Sequence, residues 1–145
     1  EQLFPVCSPK LMAGRNRITK PSDLLKFPLL HLDDNKSWSR WFEAAGITDA
    51  ELPRGLILNR RSMLIDAAID GQGVALALTT LAAWDLINRR IVRPFDIGLR
   101  LSKTFWIVCP KTSSTKPKIK TFREWLLAEA ADDARRLKKL FAKKV

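Results

Sequence analysis

The chain predicts an α/β domain on a mostly parallel sheet, and three observations carry that prediction. Val74–Leu78 is an uninterrupted apolar run, which suits a strand covered on both faces better than a half-exposed one. It follows a helix-like stretch ended by Asp70-Gly71, with glycine placed where a helix C-terminus needs positive φ. Upstream of it, strand-like and helix-like segments alternate, as crossover units do.

The elements follow in order. Leu3–Cys7 is a short apolar strand closed by Ser8-Pro9, and Lys10–Lys20 is a basic loop. Thr19 is placed to cap a short helix that has Pro21 in its first turn and stops at Phe27, before Pro28. Leu29–Leu32 is a second strand, and Asp33-Asp34-Asn35 a turn. Ser37 is expected to cap a helix that carries Trp38, Trp41, Phe42 and Ala45 on one face and ends at Gly46. Gly55–Leu58 is a third strand, and a helix from about Ser62 to Asp70 follows it.

Val74–Leu78 is then expected at the centre of the sheet, between the strands ending near Leu58 and Cys7. Thr79 or Thr80 caps a helix to about Asn88. Ile91–Phe95 is extended, with Pro94 making it an edge or crossing segment. Thr104–Cys109 reads as a final strand. A last helix starts near Pro117, with Ile119, Phe122, Leu126, Ala130, Leu137 and Phe141 at helical spacing.

Composition narrows the function. The net charge is +11, and it is uneven: residues 1–109 hold 15 basic and 11 acidic side chains, residues 110–145 hold 11 and 4. The excess is therefore largely a C-terminal tail. Such a tail either binds phosphates or is a solvated helix end whose cations suit the negative pole of the dipole. No apolar stretch of about 18 residues offers a membrane span. Two cysteines, Cys7 and Cys109, make no disulfide framework, and both are expected to stay reduced in a cytoplasmic setting.

Catalytic chemistry is hard to place. The one histidine, His31, lies inside a strand and reads as a packed residue rather than a base. No second histidine or cysteine cluster offers a metal site, and no cofactor motif is present. Gly71-Gln72-Gly73 runs from helix to strand, the reverse of a dinucleotide loop. What remains is a site that binds without reacting. Asn59-Arg60-Arg61-Ser62 lies between a strand and a helix N-terminus, where backbone N–H groups and two guanidiniums suit a carboxylate or phosphate. The alternative is two solvated surface arginines.

Several segments together resemble the effector-binding domain of LysR-type transcriptional regulators, in the subgroup of glycine-cleavage and β-lactamase-induction activators. They are Leu3–Pro9, Pro21–Leu24, Leu29–His31, Trp38–Gly46, Ala67–Leu76, Ile91–Phe95, Phe105–Pro110 and Phe122–Leu126. The resemblance implies a two-lobed fold like that of periplasmic solute-binding proteins, with effector held between the lobes. It implies the second lobe complete and the first partial: residues 1–109 for the second lobe with its crossing strands, residues 110–145 for the last helix and basic tail. The DNA-binding winged helix-turn-helix would lie outside this sequence.

On that basis the expected ligand is a small anionic effector. Its contacts would be Arg60 or Arg61 and the following N–H groups, with Ser8, Asn59, Ser62 and Thr79 adding hydrogen bonds and Phe105 or Trp106 walling the cleft. The chain is expected to act as a dimer or other homo-oligomer and to reach DNA only through the absent domain. Two other classes stay open: a solute-binding protein of a transporter, and a basic nucleic-acid-binding domain using Lys138, Lys139, Lys143 and Lys144. An enzyme is the least supported reading.

Overall fold

The computed structural model describes residues 1–32, 36–102 and 104–142. They fall into two compact units, Glu1–Ser102 and Lys103–Val145. The first unit holds five strands in the order β3-β2-β4-β1-β5. These are β1 (Gln2–Val6), β2 (Leu29–Leu32), β3 (Ile57–Leu58), β4 (Val74–Leu78) and β5 (Leu99–Arg100), interleaved with helices α1 (Lys36–Ala44), α2 (Arg61–Ile69) and α3 (Thr79–Ile87). The second unit is built around α4 (Pro117–Ala142).

The α/β class holds, and the sheet is mixed. β2 pairs in parallel with β3 and β4, whereas β1 runs antiparallel to β4 and to β5. β4 is central, as its apolar run requires. Its neighbours are β1 and β2, not the strand ending at Leu58: β3 lies beyond β2 at the edge, paired through His31–Ile57 and Leu32–Leu58. The chain steps outward from β2 to β3 and then back past β2 to β4. Apolar runs alone cannot show that reversal, because both placements bury β4.

β4 is covered on both faces. Leu3, Cys7, Leu29, Val74 and Leu76 share a core with Trp38, Trp41 and Phe42 of α1. Trp41 meets Trp38 edge-on at 6.1 Å and Phe42 at 5.3 Å. Each indole N–H is used: Trp38 donates to Leu30 O at 3.0 Å and Trp41 to Ile97 O at 3.2 Å. By strand alternation Phe4, Val6, Ala75 and Ala77 face the other way, where α2 and α3 pack. Alanines on strand and helices alike (Ala67, Ala68, Ala82, Ala83) let that helical layer approach closely.

Helix ends obey the expected signals in part. Gly71 has φ of +78°, and its N–H reaches Ala68 O while that of Gln72 reaches Ala67 O, a complete Schellman closure. The N-terminal caps differ from expectation. α1 begins before Ser37, and α3 begins at Thr79 with no side-chain cap from either threonine. Before β2, Lys20 rather than Thr19 is the cap residue, and Asp23 closes the 3-10 turn Pro21–Lys26. Its buried carboxylate accepts from Thr19 N–H and O–H, Lys20 N–H and Lys26 Nζ.

Ile91–Phe95 carries a single bridge, Cys7–Val92, as a crossing segment does. β5 was not anticipated. Thr104–Cys109 is in no strand: Phe105, Trp106, Ile107 and Val108 are exposed, and no ladder satisfies their backbone groups. Cys7 is buried and Cys109 half-buried, and neither is in a disulfide. The Asp33–Asn35 turn and the tail lysines Lys143 and Lys144 lie outside the described residues.

Candidate functional site

Parallel pairing aligns the carboxyl ends of β3, β2 and β4 along one sheet edge. At that edge α2 starts directly after β3, and α3 directly after β4. Asn59, Arg60, Arg61 and Ser62 therefore share an edge with Thr79, with β2 between them. In open α/β sheets this is the edge that receives ligands.

The start of α2 is electrically unusual. Arg60 is its N-cap, in extended conformation and with no side-chain cap bond; Arg61 is its first residue, and its first turn holds no acid. Serine, threonine, asparagine or aspartate are the residues that normally accept the free N–H groups there. Two cationic residues instead occupy the positive pole of the helix, an arrangement that costs stability when nothing negative is bound. Among the described residues, the side chains of Asn59, Arg60, Arg61 and Ser62 make no hydrogen bond or ion pair. Asn59, Arg60 and Ser62 are exposed and Arg61 is half-exposed.

Thr79 is engaged differently. Its Oγ1 accepts from Gln2 N–H at 3.2 Å and donates to Gln2 O at 3.3 Å. Beside it, the Glu1 carboxylate accepts from Thr80 N–H and the Thr80 hydroxyl. The negative charge that is missing at α2 is thus supplied at α3 by the protein itself. Glu1 and Gln2 escape a sequence reading because only the antiparallel pairing of β1 brings the chain start to this edge.

That same pairing removes Ser8 from the group. The register Leu3–Leu78 through Val6–Ala75 puts the end of β1 beside the start of β4. Ser8 is buried at the opposite sheet edge. Phe105 and Trp106 belong to the other compact unit, where they are 58% and 82% exposed. His31 is buried in β2, with Nε2 3.4 Å from Pro53 O and Nδ1 without a partner among the described residues. No group of histidine, cysteine or acidic residues that could hold a metal occurs among the described residues. No helix among them is long and apolar enough to cross a membrane.

The carboxyl edge of this open α/β sheet thus carries an uncapped, doubly basic helix start. The chain resembles the effector domain of the transcriptional regulator AmpR of Pseudomonas aeruginosa (TM-score 0.61, 30% identity, 92% of this chain and 62% of that one). It also resembles a triply substituted effector-binding domain from Citrobacter freundii (TM-score 0.66, 30% identity, 86% and 62%). Both have the periplasmic-binding-protein-like architecture.

Residues 1–131 match the LysR substrate binding domain, and the chain belongs to that family. Among curated proteins it is 37% identical over 131 residues to the glycine cleavage system transcriptional activator of Escherichia coli K12. It is 32% identical over 134 residues to the HTH-type transcriptional activator AmpR of Pseudomonas aeruginosa. These matches cover 90% and 92% of the chain but 43% and 44% of the relatives, so the chain spans less than half their length.

Proposed function

We propose that this chain is the effector-sensing part of a LysR-type transcriptional regulator, and that its effector is a small anion bound at the start of α2. The reading rests on the two unpaired arginines at an uncapped helix N-terminus. An anion there relieves the conflict between guanidiniums and helix dipole and accepts from both. Asn59 and Ser62 are placed to add hydrogen bonds, and the Thr79 hydroxyl can do so by giving up Gln2. In this reading residues 1–109 form the second lobe with its crossing strands, and residues 110–145 bring the last helix of the first.

The relatives are named as transcriptional activators, which supports a regulatory role without catalysis, reaching DNA through a separate domain and working in the cytoplasm. Binding is tested by thermal-shift screening of carboxylated and phosphorylated metabolites, followed by calorimetry on the parent, Arg60→Ala and Arg61→Ala. Removing a guanidinium that pairs with a desolvated anion should cost about 2–5 kcal/mol, which is well over about tenfold in affinity. Hits bound by both variants within about twofold of the parent would refute the arginine site.

We further propose that the chain self-associates. Phe122 and Trp125 are more than half exposed on one face of α4, their rings 5.6 Å apart, and such a surface invites a partner. Light scattering should show a concentration-dependent rise above the 16.5 kDa chain mass, which Trp125→Glu should abolish.

A further inference from the structure

The basic loop between β1 and β2 plays no part in the site above, and it encloses a cleft of its own. Arg15, Asn16, Arg17, Lys26 and Phe27 line a cavity of about 280 Å³. It lies in the connection that leaves the end of β1 and enters the start of β2. Because β2 is parallel to β4 and β1 antiparallel to it, that connection sits at the sheet edge opposite the starts of α2 and α3.

The charge of the cleft is one-sided. Residues 10–26 carry five cations, Lys10, Arg15, Arg17, Lys20 and Lys26, against the single acid Asp23. That acid faces away from solvent: its side chain is 7% exposed and takes four hydrogen bonds from its own turn. Lys26 spends one bond on Asp23 at 2.9 Å and has two N–H donors left. Arg15 and Arg17 are exposed, and neither has a salt bridge among the described residues. No acid lines the cavity, so it presents three cations, the Asn16 amide and one aromatic ring.

The frame is rigid where a binding site needs it. Ile18 is buried, and its N–H bonds Leu11 O at 3.1 Å, closing the loop onto itself. Phe27 packs against the central core cluster while it lines the cleft, so its ring is held in place. Gly14, at φ of +84°, makes the turn that sets Arg15 and Arg17 on the rim.

We propose that this cleft is a second anion site, for a small phosphorylated molecule with a planar ring or apolar group beside the phosphate. Three cations lining one cleft suit a phosphate dianion better than a single carboxylate charge, and guanidinium forks match its oxygens. Phe27 offers the apolar contact. A concave, small cavity favours a free phosphorylated compound over a nucleic-acid backbone, which needs an extended track of charge.

The test is calorimetry on the whole chain at low chloride, titrating phenyl phosphate and, separately, inorganic phosphate and a random-sequence DNA duplex. Phenyl phosphate should bind saturably with Kd below about 1 mM, and more tightly than inorganic phosphate. The double variant Arg15→Ala/Arg17→Ala should lose about tenfold or more. Arg60→Ala and Arg61→Ala should bind as the parent does, which separates this cleft from the effector site. Circular dichroism should show the double variant folded, since both side chains are exposed. No saturable phenyl phosphate binding, equal binding by the double variant, loss in the Arg60 or Arg61 variants instead, or binding of the duplex alone would each overturn the proposal.

Discussion

Val74–Leu78 and Phe105–Val108 are both uninterrupted apolar runs, yet one is the central strand of a sheet and the other is in no strand at all. In β4 every residue from Val74 to Ala77 is buried, with backbone bonds to strands on both sides. Trp106 and Val108, in the other unit, are 82% and 88% exposed. Among the described residues, every buried apolar side chain but Leu137 lies in the first unit. Apolar content marks a segment that wants burial, and a partner decides whether it gets it. β4 has β1, β2, α1, α2 and α3 to cover it. Within Lys103–Val145 the described residues offer only a short 3-10 turn and α4.

The strongest test of that contrast pairs two tryptophans. Trp41 is fully buried, packed among Trp38, Phe42 and Phe95, and donates to Ile97 O. Trp41→Ala should cost about 3–5 kcal/mol, a large share of the stability of an ordinary domain. Trp106→Ala should change stability by under about 0.5 kcal/mol. Urea unfolding followed by circular dichroism measures both. A large loss from Trp106→Ala would mean that its segment is covered in solution, and the contrast between the two runs would fail.

Acid sharpens the contrast at a smaller scale. Asp23 is held well below the usual carboxylate range, first by Lys26 and then by the Thr19 and Lys20 donors. A carboxyl depressed in the folded state stabilises fully above its unfolded value and loses that contribution as pH falls through the folded one. Stability of the first unit should therefore decline below about pH 4. Asp23→Asn, which keeps the shape but not the charge, should flatten the decline while lowering stability at neutral pH. The second unit's acid–base pairs, Lys120–Glu124 and Asp132–Arg135, are largely exposed. Neutralising Glu124 should leave the profile unchanged. Denaturant midpoints measured between neutral pH and pH 3 decide both points.

Much of this was legible in advance, for local reasons. Periodicity placed α1 and α4, and Gly46 and Gly71 marked helix ends because few other residues take positive φ readily. The apolar run located β4. What escaped were facts of pairing. Nothing in Leu3–Cys7 says that it runs antiparallel to β4, so the sequence alone does not separate Ser8 from Thr79, which lie at opposite edges. The same pairing hid the roles of Glu1 and Gln2 beside Thr79. The two arginines stood out because they break the helix-capping rule, which is a local signal. The Arg15–Phe27 cleft gave no such signal, since its parts join only once Ile18 closes the loop.

The smallest expected effect concerns a third helix end in the well-packed unit. α3 closes as α1 and α2 do: Arg89 N–H bonds Leu86 O at 3.1 Å, and Arg90 N–H bonds Asp85 O at 2.9 Å. In the first two helices the residue at positive φ is Gly46 or Gly71, both at +78°. In α3 it is Arg89, at +57°. A side chain there crowds the following carbonyl at a cost of about 1–2 kcal/mol, partly offset because glycine gains freedom in the unfolded chain. Arg89→Gly should therefore stabilise the first unit by about 0.5–1 kcal/mol. Arg89→Ala keeps the Cβ and should bring no comparable gain, which separates backbone conformation from lost charge. Arg90→Ala should go the other way, because Arg90 pairs with Asp85 at 2.9 Å and lies over the Trp84 ring at 5.3 Å. Its loss should cost under about 1 kcal/mol, as exposed pairs do. Urea midpoints for the three variants order them. If Arg89→Gly and Arg89→Ala gain equally, charge rather than φ limits this helix end, and the third closure differs in kind from the other two.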